Sequence, residues 1–141
     1  MALQRDGSLC AREFGAAVAI HSEHGCQQQP WHADYSPTKC EGMRYKPQGV
    51  LLALQPHTHF LIAAEAGGGV EDVELSPGDV LIFDGDIVHA GAAYKDAPNT
   101  RIHVYLNVPD IARPKNSTWL VPSFVGSWVE TWSTRLDKLH I

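Results

Sequence analysis

His32 and Asp34, in the run Pro30-Trp31-His32-Ala33-Asp34-Tyr35, and His89 much further along are the residues whose types and spacing could do chemistry. Two imidazoles and a carboxylate make a facial metal triad, which grips Fe(II) from one side and leaves the opposite positions open. The single residue between His32 and Asp34 puts both side chains on one face of an extended segment, so both can reach one ion. Arg101 opens the next extended segment, and its fork of donors suits a carboxylate on a small second ligand. This set predicts an oxygenase centre, with His32, Asp34 and His89 as both catalytic and metal-binding residues.

Short strands separated by turn residues must position these groups. The pattern predicts strands over residues 14–21, 31–35, 49–55, 60–64, 70–75, 79–83, 87–90 and 100–108. Turn residues such as Ser76-Pro77-Gly78, Asp84-Gly85 and Ala97-Pro98-Asn99 lie between them. Eight such strands predict a mainly β fold, a double-sheet jelly roll. In the last strand, alternation places Arg101, His103, Tyr105 and Asn107 on one face and Ile102, Val104, Leu106 and Val108 on the other. Residues 50–54 are apolar on both faces and read as fully buried.

Residues 36–48, with Lys39, Arg44, Tyr45 and Lys46, form a loop leaving the His32–Asp34 pair, either a lid or substrate contact or a solvated connection. Residues 110–141 read as a C-terminal loop and helix. Ser127-Trp128-Val129-Glu130 resembles a capping box, and Trp128, Trp132, Leu136 and Leu139 form one apolar stripe. That helix is expected to pack against a sheet, with a contact between two copies as the alternative.

A length of 141 residues predicts one domain spanning the chain. The net charge of −5 and pI near 5.8 argue against a nucleic-acid partner, which would call for a basic face. Three cysteines (Cys10, Cys26, Cys40) cannot all pair within the chain, and neither a secretory leader nor a membrane span is visible. These features predict a reducing, cytoplasmic setting, no membrane, and a monomer or homodimer.

The run from Pro77-Gly78-Asp79 through Phe83, Gly85-Asp86 and Val88-His89-Ala90-Gly91 to Arg101 resembles the C-terminal half of Fe(II)/2-oxoglutarate-dependent dioxygenases. Together with His32-x-Asp34, the resemblance extends over residues 28–108. Oxygenases of the phytanoyl-CoA and prolyl-hydroxylase type are the group it indicates. It implies a double-stranded β-helix, iron on His32, Asp34 and His89, and the far carboxylate of 2-oxoglutarate on Arg101. His103, Tyr105 and Thr58 are candidates for a second contact to that carboxylate. The implied reaction hydroxylates a small-molecule or peptide substrate with dioxygen and releases succinate and CO2. Where the family often has a hydroxyl two residues after the arginine, this chain has His103. Only about 30 residues precede His32, which is little room for the helices that usually buttress the barrel.

Other readings of the same chain stand beside this one. His57-Thr58-His59 with Glu65, followed by His89, resembles the ligand set of a cupin-type metalloprotein. A jelly roll that binds a ligand without catalysis is a further alternative. His21, His24, Cys26 and Cys40 could supply N/S ligands to zinc, the alternative being loop histidines and buried thiols. For Arg101, the alternative to a cosubstrate anchor is a surface salt bridge, for instance to Asp96.

Overall fold

A computed structural model of the chain describes residues 12–64, 69–111 and 113 in full, and the backbone of four short strands outside them. In chain order the elements are β1 (Ala2–Leu3), β2 (Leu9–Cys10), β3 (Glu13–Ser22), β4 (His32–Ala33), α1 (Pro37–Cys40), β5 (Gln48–Ala53) and β6 (Thr58–Ala63). They continue with β7 (Val70–Leu75), β8 (Val80–Asp84), β9 (His89–Gly91), β10 (Asn99–Asn107), β11 (Ser117–Leu120) and β12 (Lys138–His140). All eight predicted strands are present, each displaced by a few residues at most. Gly, Pro and Asn at their ends set the boundaries.

The strands form a four-stranded antiparallel sheet, β3-β10-β5-β8, and a six-stranded one, β12-β11-β4-β9-β6-β7, with β1 and β2 paired separately. From β3 to β11 nearly every connection crosses from one sheet to the other, β6–β7 being the exception. That alternation is the topology of a double-stranded β-helix. Leu51, Ala53 and Phe83 from the smaller sheet meet Phe60 and Leu75 from the larger one, with Ile62, Val73, Leu81 and Ile87 packed around them. A second cluster joins Tyr35, Cys40, Val108 and Ile111.

Only one face of β5 is buried, which corrects the expectation for residues 50–54. Leu51 and Ala53 point into the core, whereas Val50 and Leu52 are half-buried and Leu54 is 45% exposed. Val50 and Leu52 lie beside Val104 and Ile102 on one side and Ile82 and Val80 on the other, so the outer face of this sheet is apolar as well. Alternation therefore vanished from the sequence although the strand has two distinct sides.

The C-terminal expectation also changes. Ser117–Leu120 and Lys138–His140 pair with each other as strands, so Leu139 sits in β12 and not at the end of a helix. The remaining positions of that apolar stripe, Trp128, Trp132 and Leu136, lie outside the described residues. No helix among the described residues is long and apolar enough to cross a membrane.

Candidate metal centre between the sheets

β4 and β9 are neighbours in the larger sheet, and their register makes His32 and His89 direct cross-strand partners. Their rings lie 4.4 Å apart between centroids. Asp34 is two residues beyond His32 and shares its face. One ligand atom each from His32, Asp34 and His89 lies within 4.8 Å of the other two. Metal–ligand bonds of about 2.1 Å would draw such atoms to roughly 3 Å, a contraction that side-chain rotation can supply.

Both imidazoles are already aimed. His32 Nδ1 lies 2.7 Å from the Pro30 carbonyl oxygen, and His89 Nδ1 lies 2.9 Å from that of Ile87. A carbonyl can only accept, so each Nδ1 carries the proton and each Nε2 keeps a bare lone pair. Burial holds both rings neutral, pushing the pKa of each down to about 4; for His32 the neighbouring His89 adds to the effect. Metal-ligating histidines need this kind of acceptor on the second nitrogen.

The fit to a cation rests on Asp34. Its side chain is 2% exposed, and Oδ2 has no hydrogen-bond partner. Around that oxygen stand His103 Nε2 at 3.4 Å and His89 Nε2 at 3.9 Å. Burying an acceptor without a donor is costly, and a divalent ion at this point would remove the cost. Iron suits the donor set of imidazole and carboxylate.

β10 crosses opposite this centre from the smaller sheet. His103 is buried, its pKa is pushed down to about 4 by burial, and its ring lies parallel to Phe83 at 5.9 Å. Phe60 stacks on His89 at 4.8 Å, and Phe83 meets His89 edge-on at 5.0 Å, so aromatic rings wall the histidines. Phe83 can lie there because Gly49, its cross-strand partner, has no Cβ; one would collide with the ring. Tyr105 also faces the centre, and burial raises its pKa to about 12.

Arg101 lies two residues before His103 on the same face, a spacing of about 6.7 Å along a strand. It is 2% exposed, so it forms no surface salt bridge to the exposed Asp96. Arg101 Nη1 donates to Ser22 Oγ at 3.0 Å, and the guanidinium lies 5.6 Å from the Tyr94 ring centre. Its electrostatic partners are Tyr94 and Cys26, and among the described residues no carboxylate pairs with it. Gly91 makes room: a Cβ there would lie 2.8 Å from Arg101 Nη2 and 2.7 Å from Gln29 Oε1.

Other expected residues fall elsewhere. Thr58 is fully buried, but its hydroxyl donates to the Gln55 carbonyl at 2.9 Å and accepts from Asn99 Nδ2 at 3.0 Å. His57 and His59 bind carboxylates on β7, and His59 points away from the face on which Phe60 meets His89. The structure therefore does not bring them to His89, and Glu65 lies outside the described residues. The zinc set is not assembled either: Cys40 is buried in the second core cluster, while His21 bonds Thr100 and Glu23 at the surface. In the loop of residues 36–48, α1 is pinned by Cys40 and Lys46 pairs with Asp86 at 2.7 Å.

Arg113 was not foreseen. Its Nε donates to the Asp34 carbonyl oxygen at 3.1 Å, Nη2 donates to the Tyr105 hydroxyl at 3.0 Å, and its charge sits 3.8 Å from the Tyr105 ring centre. It follows an irregular stretch, and nothing in its spacing from the ligands marked it.

No family model matches the chain, and no curated protein does. Solved structures are similar in fold. EvdMO1 shares 19% identity at a TM-score of 0.55, over 73% of this chain and 28% of that one. AviO1 from Streptomyces viridochromogenes Tue57 shares 20% at 0.54, over 73% and 54%. The nickel complex of the non-heme monooxygenase ThoJ shares 16% at 0.52, over 77% and 50%. The chain thus spans between about a quarter and just over half of the length of these proteins. Fold and likeness together define its class: a double-stranded β-helix protein with a His/Asp/His cluster between its sheets.

Proposed function

We propose that the chain is a non-haem Fe(II)- and 2-oxoglutarate-dependent dioxygenase. The observation that carries this reading is the unpartnered Asp34 Oδ2, buried between imidazoles whose Nε2 lone pairs are free. Bound Fe(II) supplies the redox chemistry by which dioxygen hydroxylates a substrate C–H bond while 2-oxoglutarate yields succinate and CO2. His32, Asp34 and His89 hold the ion, and Phe60 and Phe83 keep water from the histidines. Arg101 binds the far carboxylate, which would satisfy a buried cation that has no acidic partner among the described residues. His103 Nε2 lies 3.4 Å from Asp34 Oδ2, the Tyr105 hydroxyl accepts from Arg113 and Thr58 is bonded to Gln55 and Asn99, while Ser22 and Tyr94 are Arg101's neighbours at the anchor. ThoJ, similar in fold, is a non-heme monooxygenase, which agrees with oxygen chemistry on this scaffold.

The test is iron binding and succinate formation in variants. His32→Ala or Asp34→Ala should lose both, and iron-dependent turnover surviving in either would overturn the proposal. Arg101→Ala should keep iron while needing at least about tenfold more 2-oxoglutarate, as expected when a charge-assisted bidentate bond is lost.

His103 Nε2, 3.4 Å from Asp34 Oδ2, favours a second reading. As a fourth ligand it would make the centre resemble that of a cupin-type metalloprotein and leave no position for dioxygen beside a chelating cosubstrate. Iron affinity of His103→Ala separates the two. Unchanged affinity marks three protein ligands, and a loss of about tenfold or more marks four.

A further inference from the structure

A second group of ligands lies on the opposite face of β6. His57 immediately precedes that strand and His59 lies within it, so the two imidazoles share one side. Asp72 and Glu74 are likewise two apart on β7, and His59 and Glu74 are cross-strand partners. His57 Nδ1 lies 2.6 Å from Glu74 Oε1, and His59 Nδ1 lies 2.9 Å from Asp72 Oδ1. One ligand atom each from His57, His59 and Glu74 lies within 4.8 Å of the others.

We propose that His57, His59 and Glu74, with Asp72 beside them, form a surface site for a borderline divalent cation such as Zn2+. Two imidazoles with carboxylates suit zinc, copper or nickel, whereas magnesium and calcium prefer oxygen alone. The strands fix the arrangement without help from the cation: register aligns the pair on β7 with the pair at the start of β6. His57 also takes a left-handed backbone, with φ of 56°, which turns its ring back toward Glu74. Exposure sets the character of the site. His57 is 80% and Glu74 55% exposed, so binding strips little water from the side chains and leaves coordination positions open. The result is an exchangeable ion on the surface, held independently of the interior centre and sharing no ligand with it.

Zinc stoichiometry and affinity of the metal-stripped full chain, by calorimetry and elemental analysis at neutral pH, test the proposal. The wild type should bind one more equivalent than the double variant His57→Ala/His59→Ala. Glu74→Gln should weaken that equivalent about tenfold or more, within the range seen when groups supporting metal ligands are removed. All three changes are at solvent-facing positions, so unchanged thermal unfolding without metal will show that the fold persists. Asp34→Asn, which disarms the interior centre, should keep the surface equivalent, and its loss there would count against the site. Equal stoichiometry and affinity in the wild type and the double variant would overturn the proposal. That result would leave the iron reading untouched, because no ligand is common to both.

Discussion

Asp34 works through two different atoms. Its carbonyl oxygen accepts from Arg113, which fixes the backbone, while Oδ2 is buried without a hydrogen-bond partner. Around it, burial holds His89 and His103 as neutral rings with pKa values near 4, against about 6.5 in an unfolded chain. Between those values the unfolded chain binds more protons than the native one, so stability falls as pH is lowered through that window. It should be flat above about 6.5 and should drop toward pH 4 by on the order of 3 kcal/mol for His89 alone. Urea midpoints of the metal-free protein at pH 7.5 and pH 5 will check this, and equal midpoints would mean that the rings are already charged when folded. At this scale the clustering of His32, Asp34 and His89 and the inward face of Arg101 were legible, because H-x-D in an apolar run and an arginine heading an alternating strand are short-range patterns. Arg113 was not, since its role comes from a carbonyl and a ring brought near by folding.

β10 shows what alternation conveys and β5 what it hides. The polar face of β10 does line the interior: Arg101 and His103 are buried, and Asn107 accepts from the Tyr35 hydroxyl at 2.6 Å. In β5 both faces are apolar, so the sequence could not reveal that only one is covered. The place of Leu139 was illegible for another reason. One apolar residue fits the end of a helical stripe as well as a short strand, and only its pairing partner, Thr118, decides between them. Gly91 in β9 offers a test of how the elements fit. A methyl group there meets Gln29, which is exposed and can move, and Arg101, which is buried and cannot move freely. Gly91→Ala should therefore retain iron, lose about 1–3 kcal/mol of stability through overpacking, and raise the 2-oxoglutarate requirement. Unaltered cosubstrate dependence would show that Arg101 is not the anchor.

Across the molecule, stability should follow the inner faces of the two sheets. Leu51 fills the core, while Ile82, 58% exposed, lies on the outer face of β8. Leu51→Ala should cost about 2–5 kcal/mol. Ile82→Lys should stay within about 0.5 kcal/mol, as surface changes do. Denaturant midpoints will rank the two, and similar losses would mean that the outer face is covered in solution. The order of strands was readable from turn residues, and one ion shared by His32 and His89 required their segments to meet, but the direct register of His32 on His89 was not readable, because partners so distant in sequence leave no local trace.

That pairing has a consequence for how the centre can change over generations. The acceptors that steer the protons of His32 and His89 are main-chain oxygens at positions 30 and 87. Every amino acid carries such an oxygen, so no codon change at either position can delete it. Drift there would leave both rings aimed, whereas a change at His32, Asp34 or His89 themselves would dismantle the cluster.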